Sequence, residues 1–274
     1  MIQVATRRQE SVAVKAATLD VAAVSLSFGG VQALEDVSFT VAPRSKCALI
    51  GPNGAGKTTL FNCINGLVQP QSGSIRLNSE ELTRVRPHEV FSKGISRTFQ
   101  GIALVRDMSV LENVMTGAAM SQRRGIVASG LAIPSCSASE RAIRSRALDI
   151  LDELGLGHTA RLMPGDLPFG TQKRVELARA LMADPTFLML DEPANGLTSE
   201  EVEELGRVLE RIWEQHDLTL LLVEHHMGLV MSVSDDIVVL DAGKVIAHAD
   251  PASVRNDPDV IAAYLGRRRS GTPE

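Results

Sequence analysis

Aromatic residues are scarce in this chain of 274 residues: there is one tryptophan, Trp213, and one tyrosine, Tyr264. Proteins that track single-stranded nucleic acid stack successive bases on aromatic rings, and so few rings supply no such platform. A basic surplus is lacking too. The 28 Lys and Arg residues face 33 Asp and Glu, a net charge of −5, whereas DNA-binding domains gather positive charge; no nucleic-acid partner is expected. Cysteine is limited to Cys47, Cys63 and Cys136, an odd and widely spaced set that fits neither a disulfide framework nor a zinc site. Long apolar runs are also missing. The most apolar stretches, such as LTLLLVE at 218–224, have the length of buried strands and fall well short of the roughly 18 residues of a membrane span. Any membrane role must therefore come through a partner. The first twenty residues, MIQVATRRQESVAVKAATLD, carry basic residues with no continuous apolar core behind them, so a secretory signal is not expected and a cytoplasmic protein is.

What is present reads as one large α/β domain with an appended subdomain. Residues 1–18 mix charge and small residues without a period and read as a flexible extension. VAAVSLSFGG and VQALEDVSFTV alternate apolar and polar residues about Gly29-Gly30, as antiparallel strands do, and SGSIRLN at 72–78 adds another short strand. CALIG at 47–51 is a buried strand running into a glycine-rich loop, and KTTLFNCINGLV behind it has helical spacing. We assign 19–88 to an antiparallel β subdomain and the phosphate loop, and 89–165 to a helical insert. In that insert, Ile143, Ala147, Ile150, Leu151 and Leu154 share one helix face. FLMLDEP and LTLLLVE, separated by the helical EEVEELGRVLERIW, look like parallel strands joined by a crossover helix. With the hairpin around 241–243 they make 166–249 the second part of the core, and 250–274 a C-terminal helix and tail.

GPNGAGKT at 51–58 matches GxxxxGK[ST] after a strand and before a helix. Gly51, Gly54 and Gly56 let backbone N–H groups converge on phosphate oxygens at a helix N-terminus. Pro52, Asn53, Ala55 and Thr59 complete the cradle. Lys57 is expected to reach the β and γ phosphates and Thr58 to ligate Mg²⁺. In FLMLDEP, Asp191 ends an apolar strand, where ligands bind in open α/β sheets. Asp191 is expected to hold Mg²⁺ directly or through water, and Glu192 to polarise the attacking water. The implied ligands are ATP and Mg²⁺.

The motif order GPNGAGKT, RTFQ (97–100), LPFGTQ (167–172), LMLDEP and EHH (224–226) resembles the ATP-binding subunits of ABC transporters over nearly the whole chain. RTFQGIALVRDMSVLENV, LPFGTQKRVELARAL, PANGLT and VRNDPDVIAAYLG look most like the ATPases of bacterial importers for branched-chain and other hydrophobic amino acids. The resemblance implies a P-loop, RecA-like core with an antiparallel β subdomain and an inserted α-helical subdomain. It implies that Gln100 touches Mg²⁺ or the attacking water, that His225 rather than His226 contacts the γ-phosphate, and that Phe28 stacks on adenine. Asn195 to Thr198 correspond to the loop that senses the opposite site, with Thr198 where an aspartate is common. It also implies transmembrane permease subunits, a second ABC ATPase subunit, identical or different, an indirect link to a solute-binding protein, and a place on the cytoplasmic face of a bacterial membrane.

LPFGTQ departs from the family pattern: Pro168 replaces a serine and Phe169 the first of two glycines. Gly170 remains, and the helix start behind it would offer its N–H groups to the γ-phosphate of ATP held by a partner subunit. An exporter ATPase, a non-transport ABC ATPase and an ATP sensor without useful turnover remain alternatives at this point.

Overall fold

In the computed structural model the protein is described over residues 16–98, 101–121 and 136–265. Strands β1 (Leu19–Phe28) and β2 (Val31–Val41) form an antiparallel hairpin about Gly29-Gly30, with Leu19 opposite Val41 and Phe28 opposite Val31. They alternate buried and exposed residues because only one face of this sheet meets the core. β3 (Lys46–Ile50) is buried throughout and leads through the phosphate loop into α1 (Lys57–Ile64). β4 (Ser72–Leu77) and β5 (Glu80–Glu81) complete a four-stranded sheet in the order β2-β1-β4-β5.

After α2 (Pro87–Ser92) comes β6 (Ile95–Arg97), which pairs in parallel with β7 (Phe187–Asp191). β6 thus joins the main sheet from within the stretch 89–165 assigned to the helical insert; a strand of three residues is too short to show a period. Helices α3 (Val110–Ser121) and α4 (Cys136–Glu153) follow, and then α5 (Phe169–Leu181) returns the chain to β7. α6 (Ser199–His216) crosses to β8 (Thr219–Val223), α7 (Met227–Val233) leads to β9 (Asp236–Asp241), and β10 (Lys244–Ala249) turns back on β9. α8 (Pro251–Asn256) and α9 (Pro258–Leu265) end the described chain.

The main sheet has the order β10-β9-β3-β8-β7-β6, and all but β10 run parallel. Its two faces fill separate cores. Leu188, Leu190, Leu220 and Leu222 pack with α3 to α6, including the expected face Ala147, Ile150, Leu151 and Leu154. Phe187, Met189, Leu221 and Val223 pack with α1 and the antiparallel sheet. This period-two split explains why the strands read as unbroken apolar runs. Of the expected extension 1–18 only 16–18 is described, and there the chain is packed: Ala17 is buried, its carbonyl accepts from Thr219 Oγ1 at 2.7 Å, and its N–H donates to Thr186.

Candidate active site

Strand register brings the motifs together. Asp191 and Leu49 both stand level with Val223, so the loops after β3, β7 and β8 leave the same edge of the sheet, the end where open α/β sheets bind ligands.

The phosphate loop is held from the antiparallel side. The Gly243 N–H donates to the Ala55 carbonyl at 3.0 Å, and the Glu35 N–H donates to the Gly243 carbonyl at 2.8 Å. Gly56 lies at φ +102°, where a Cβ would come within 2.6 Å of the Ala33 carbonyl oxygen. α1 has Gly56 as its N-cap, with no side chain bonded there and no acidic residue in its first turn, so its N-terminal positive potential stays open to an anion. Lys57 Nζ donates to the carbonyls of Gly51 and Pro52 at 2.8 and 3.0 Å, at the mouth of the loop. Burial lowers its pKa, and the charge of Glu192 acts in the opposite direction, which places those two side chains within electrostatic reach. Thr58, Asn53 and Gly54 are exposed, Pro52 and Thr59 half-buried.

Asp191 is buried, and its Oδ2 accepts from Arg97 Nη2 at 2.6 Å while Arg97 Nη1 donates to Asn62 of α1 at 2.8 Å. Arg97 therefore ties together the second acidic motif, the helix behind the phosphate loop and the strand leading to Gln100. Glu192 stands at φ +48°, a left-handed conformation uncommon outside glycine. Its N–H donates to the Val223 carbonyl at 2.9 Å, and Asn195 Nδ2 reaches its Oε2 at 3.4 Å. No group of three or more His, Cys, Asp or Glu side chains that would hold a metal ion occurs among the described residues. One hydroxyl, Thr58, and one carboxylate, Asp191, with an oxygen already committed to Arg97, fit a magnesium ion that keeps waters and takes further ligands from a phosphate chain.

The two histidines divide their tasks. His226 is the N-cap of α7, its Nδ1 accepting from the Leu229 N–H at 3.3 Å. The His225 ring is exposed, with no hydrogen-bond partner among the described residues. Gln100 lies outside the described residues. Phe28 is 51% exposed at the β1–β2 turn, an accessible ring and not a core one.

LPFGTQ, the loop expected to close on a partner's ATP, also has an identifiable geometry. Pro168 is the N-cap of α5, one position earlier than the first helical residue that proline favours. Gly170 is buried beneath Glu201 and Leu197, and Phe169 packs so near Gly196 that a Cβ there would come within 2.9 Å of its ring. Thr198 caps α6 in a reciprocal pair with Glu201, whose N–H donates to its Oγ1 at 3.3 Å. Threonine and aspartate are both good caps, so the departure from the common aspartate preserves the helix start.

Three contributors escaped the sequence reading. Arg97 carried a signal, since it opens RTFQ, whereas Glu224 and Tyr264 carried little. Glu224 is 1% exposed and bonded to backbone N–H groups in two loops. Burial raises the Tyr264 pKa, partly offset by a hydrogen bond from the Gly51 backbone, which brings α9 to the start of the phosphate loop.

Residues 34–195 match the sequence profile of the family described as ABC transporter, and residues 244–269 that of the branched-chain amino acid ATP-binding cassette transporter. The high-affinity branched-chain amino acid transport ATP-binding protein BraF of Pseudomonas aeruginosa is 40% identical over 90% of this chain and 97% of its own length. LivG of Escherichia coli, a protein of the same description, is 39% identical with the same coverage. Among solved structures, the ADP conformation of MJ1267, an ATP-binding cassette of an ABC transporter, superposes with a TM-score of 0.80 at 29% identity, over 92% of this chain and 99% of that one. With the loop geometry above, these likenesses establish that the chain belongs to the ABC transporter family, as an ATP-binding cassette that hydrolyses ATP.

Proposed function

We propose that this cassette drives an importer of branched-chain amino acids or related small solutes, seated on permease subunits at the cytoplasmic face of a bacterial membrane and paired with a second cassette. The observation that carries the solute class is the match of the C-terminal segment, 244–269, to the branched-chain profile. Among the described residues no helix is long and apolar enough to cross a membrane. Val105, Met108, Leu162 and Met163, 37 to 45% exposed, are brought together on the helical part by the bond from the Val110 N–H to the Leu162 carbonyl. Such an apolar patch beside the segment that follows Gln100 suits a permease contact.

In this reading the backbone N–H groups of Gly54 to Thr58 and the Lys57 ammonium hold the phosphates, and Phe28 offers a face to the base. Thr58 and Asp191, with Gln100, would hold Mg²⁺, which would supply positive charge at the phosphates. Glu192 orients and polarises the water that attacks the γ-phosphorus, and His225 meets the γ-phosphate from the end of β8. Gly170 of a partner cassette closes the site from the other side. Deleting the gene should lower uptake of labelled leucine, isoleucine and valine. Restoring wild type, but not Glu192→Gln, should recover it. Unchanged uptake of all three would sink the solute class, and recovery by Glu192→Gln the role of Glu192.

A further inference from the structure

Glu224 follows β8 directly and is almost completely buried, yet no step assigned above uses it. Its carboxylate accepts three backbone hydrogen bonds: the Ala194 N–H to Oε1 at 2.7 Å, and the N–H groups of His225 and His226 to Oε2 at 2.9 and 3.0 Å. A buried carboxylate without partners is strongly disfavoured, and three charge-assisted bonds meet that need. What distinguishes this group is that its two oxygens serve different loops. Oε1 holds the turn after β7, and Oε2 holds the turn after β8.

The turn after β7 contains Glu192 in its left-handed conformation, and such a conformation persists only where the surroundings over-determine it. Here the bonds lie on both sides of it. The Glu192 N–H donates to Val223, and two residues on, the Ala194 N–H donates to Glu224. The end of β8 therefore fixes the backbone that aims Glu192, and the same carboxylate fixes the backbone that presents His225. We propose that Glu224 is a positioning residue that locks Glu192 and His225 into one frame, so that both meet the reacting phosphate in register. It acts through peptide N–H groups. The inference rests on the roles proposed above for Glu192 and His225.

Two substitutions separate this from packing. Glu224→Gln keeps the volume, but its amide offers one acceptor oxygen and an NH₂ group with two donors, so it can satisfy one loop only while opposing the N–H of the other. Glu224→Asp keeps the charge and draws the carboxylate back by about 1.5 Å, one carbon–carbon bond. In the full chain, single-turnover hydrolysis of Mg-ATP should slow about 10- to 100-fold in both, as misplacement of about 1 Å can do. The Kd for Mg-ATP should stay within about threefold of wild type, since the phosphate loop is untouched. The amide resonances of Ala194, His225 and His226 should move together in ¹H–¹⁵N spectra. A folded variant with those shifts and near-wild-type hydrolysis overturns the proposal. So does a parallel loss of nucleotide affinity, or failure of both variants to fold, because either outcome assigns Glu224 to the scaffold. Glu192→Gln in the same assay keeps the readings apart. If it hydrolyses normally the site reading fails, whereas a slow Glu192→Gln beside a fast Glu224→Gln removes this inference alone.

Discussion

Lys57 shows how a single residue trades stability for binding. Burial lowers its pKa from the ordinary 10.5, so the folded chain holds that proton less tightly than the unfolded chain does. The charged ammonium therefore weighs against folding at neutral pH. This penalty fades as pH rises through the folded pKa and is gone above 10.5, where both states are neutral. The difference in Tm between Lys57→Met and wild type should accordingly move in favour of wild type as pH is raised from 7 toward 10.5, measured by thermal melts without nucleotide. The reverse drift would show that the ammonium is stabilised where it lies. Wild type should also gain about 2.7 kcal/mol from Mg-ATP at a hundredfold excess over Kd, a gain Lys57→Met should largely forfeit. Residues such as Lys57, Thr58, Asp191 and Glu192 were legible in the sequence because their chemistry depends on immediate neighbours. The pair Arg97–Asp191 and the bond from the Ala194 N–H to Glu224 were not. They depend on β7 lying between β6 and β8, which no local spacing reveals.

Among the elements, the phosphate loop separates two kinds of glycine. Gly54 and Gly56 both have positive φ, at +82° and +102°, but only Gly56 faces an obstacle, the Ala33 carbonyl of β2. Gly54→Ala should lose only about 1 kcal/mol of unfolding free energy, the lower end of left-handed strain. Gly56→Ala should lose about 3 kcal/mol or more, since the loop must also part from β2. Urea titrations followed by Trp213 fluorescence would check this, and equal losses would mean that β2 yields easily. Sequence alone could not rank these glycines, because the contact comes from a strand more than twenty residues away. It did locate the strands themselves, the α4 face and the hairpin at 241–243, where alternation or apolar run length suffices. It missed β6, and it read Phe169 only as a lost glycine, although its ring packs over Gly196.

At the scale of the whole molecule, the question is what the altered LPFGTQ loop can still close. Pro168 and Phe169 are exposed at the start of α5, while Gly170 sits beneath Glu201. The serine hydroxyl that Pro168 lacks is equivalent to one hydrogen bond to a charged group, roughly 1.5–3 kcal/mol net; the open N-terminus of α5 remains. Closure on ATP should thus be weakened and not abolished. For Glu192→Gln, in which bound ATP persists, sedimentation should show a dimer with Mg-ATP that reverts to monomer when the nucleotide is removed. Gly170→Trp should abolish that dimer, because a bulky side chain must displace Glu201 and fill the contact face. If the protein binds Mg-ATP and stays monomeric, this loop is not self-complementary. Its partner is then a different cassette, or permease subunits must first bring two cassettes together. Mixing the chain with each cassette that copurifies with it would tell these apart: a heterodimer that needs Gly170 would place LPFGTQ against a foreign phosphate loop, and no dimer without membrane subunits would make the permease the organiser of closure.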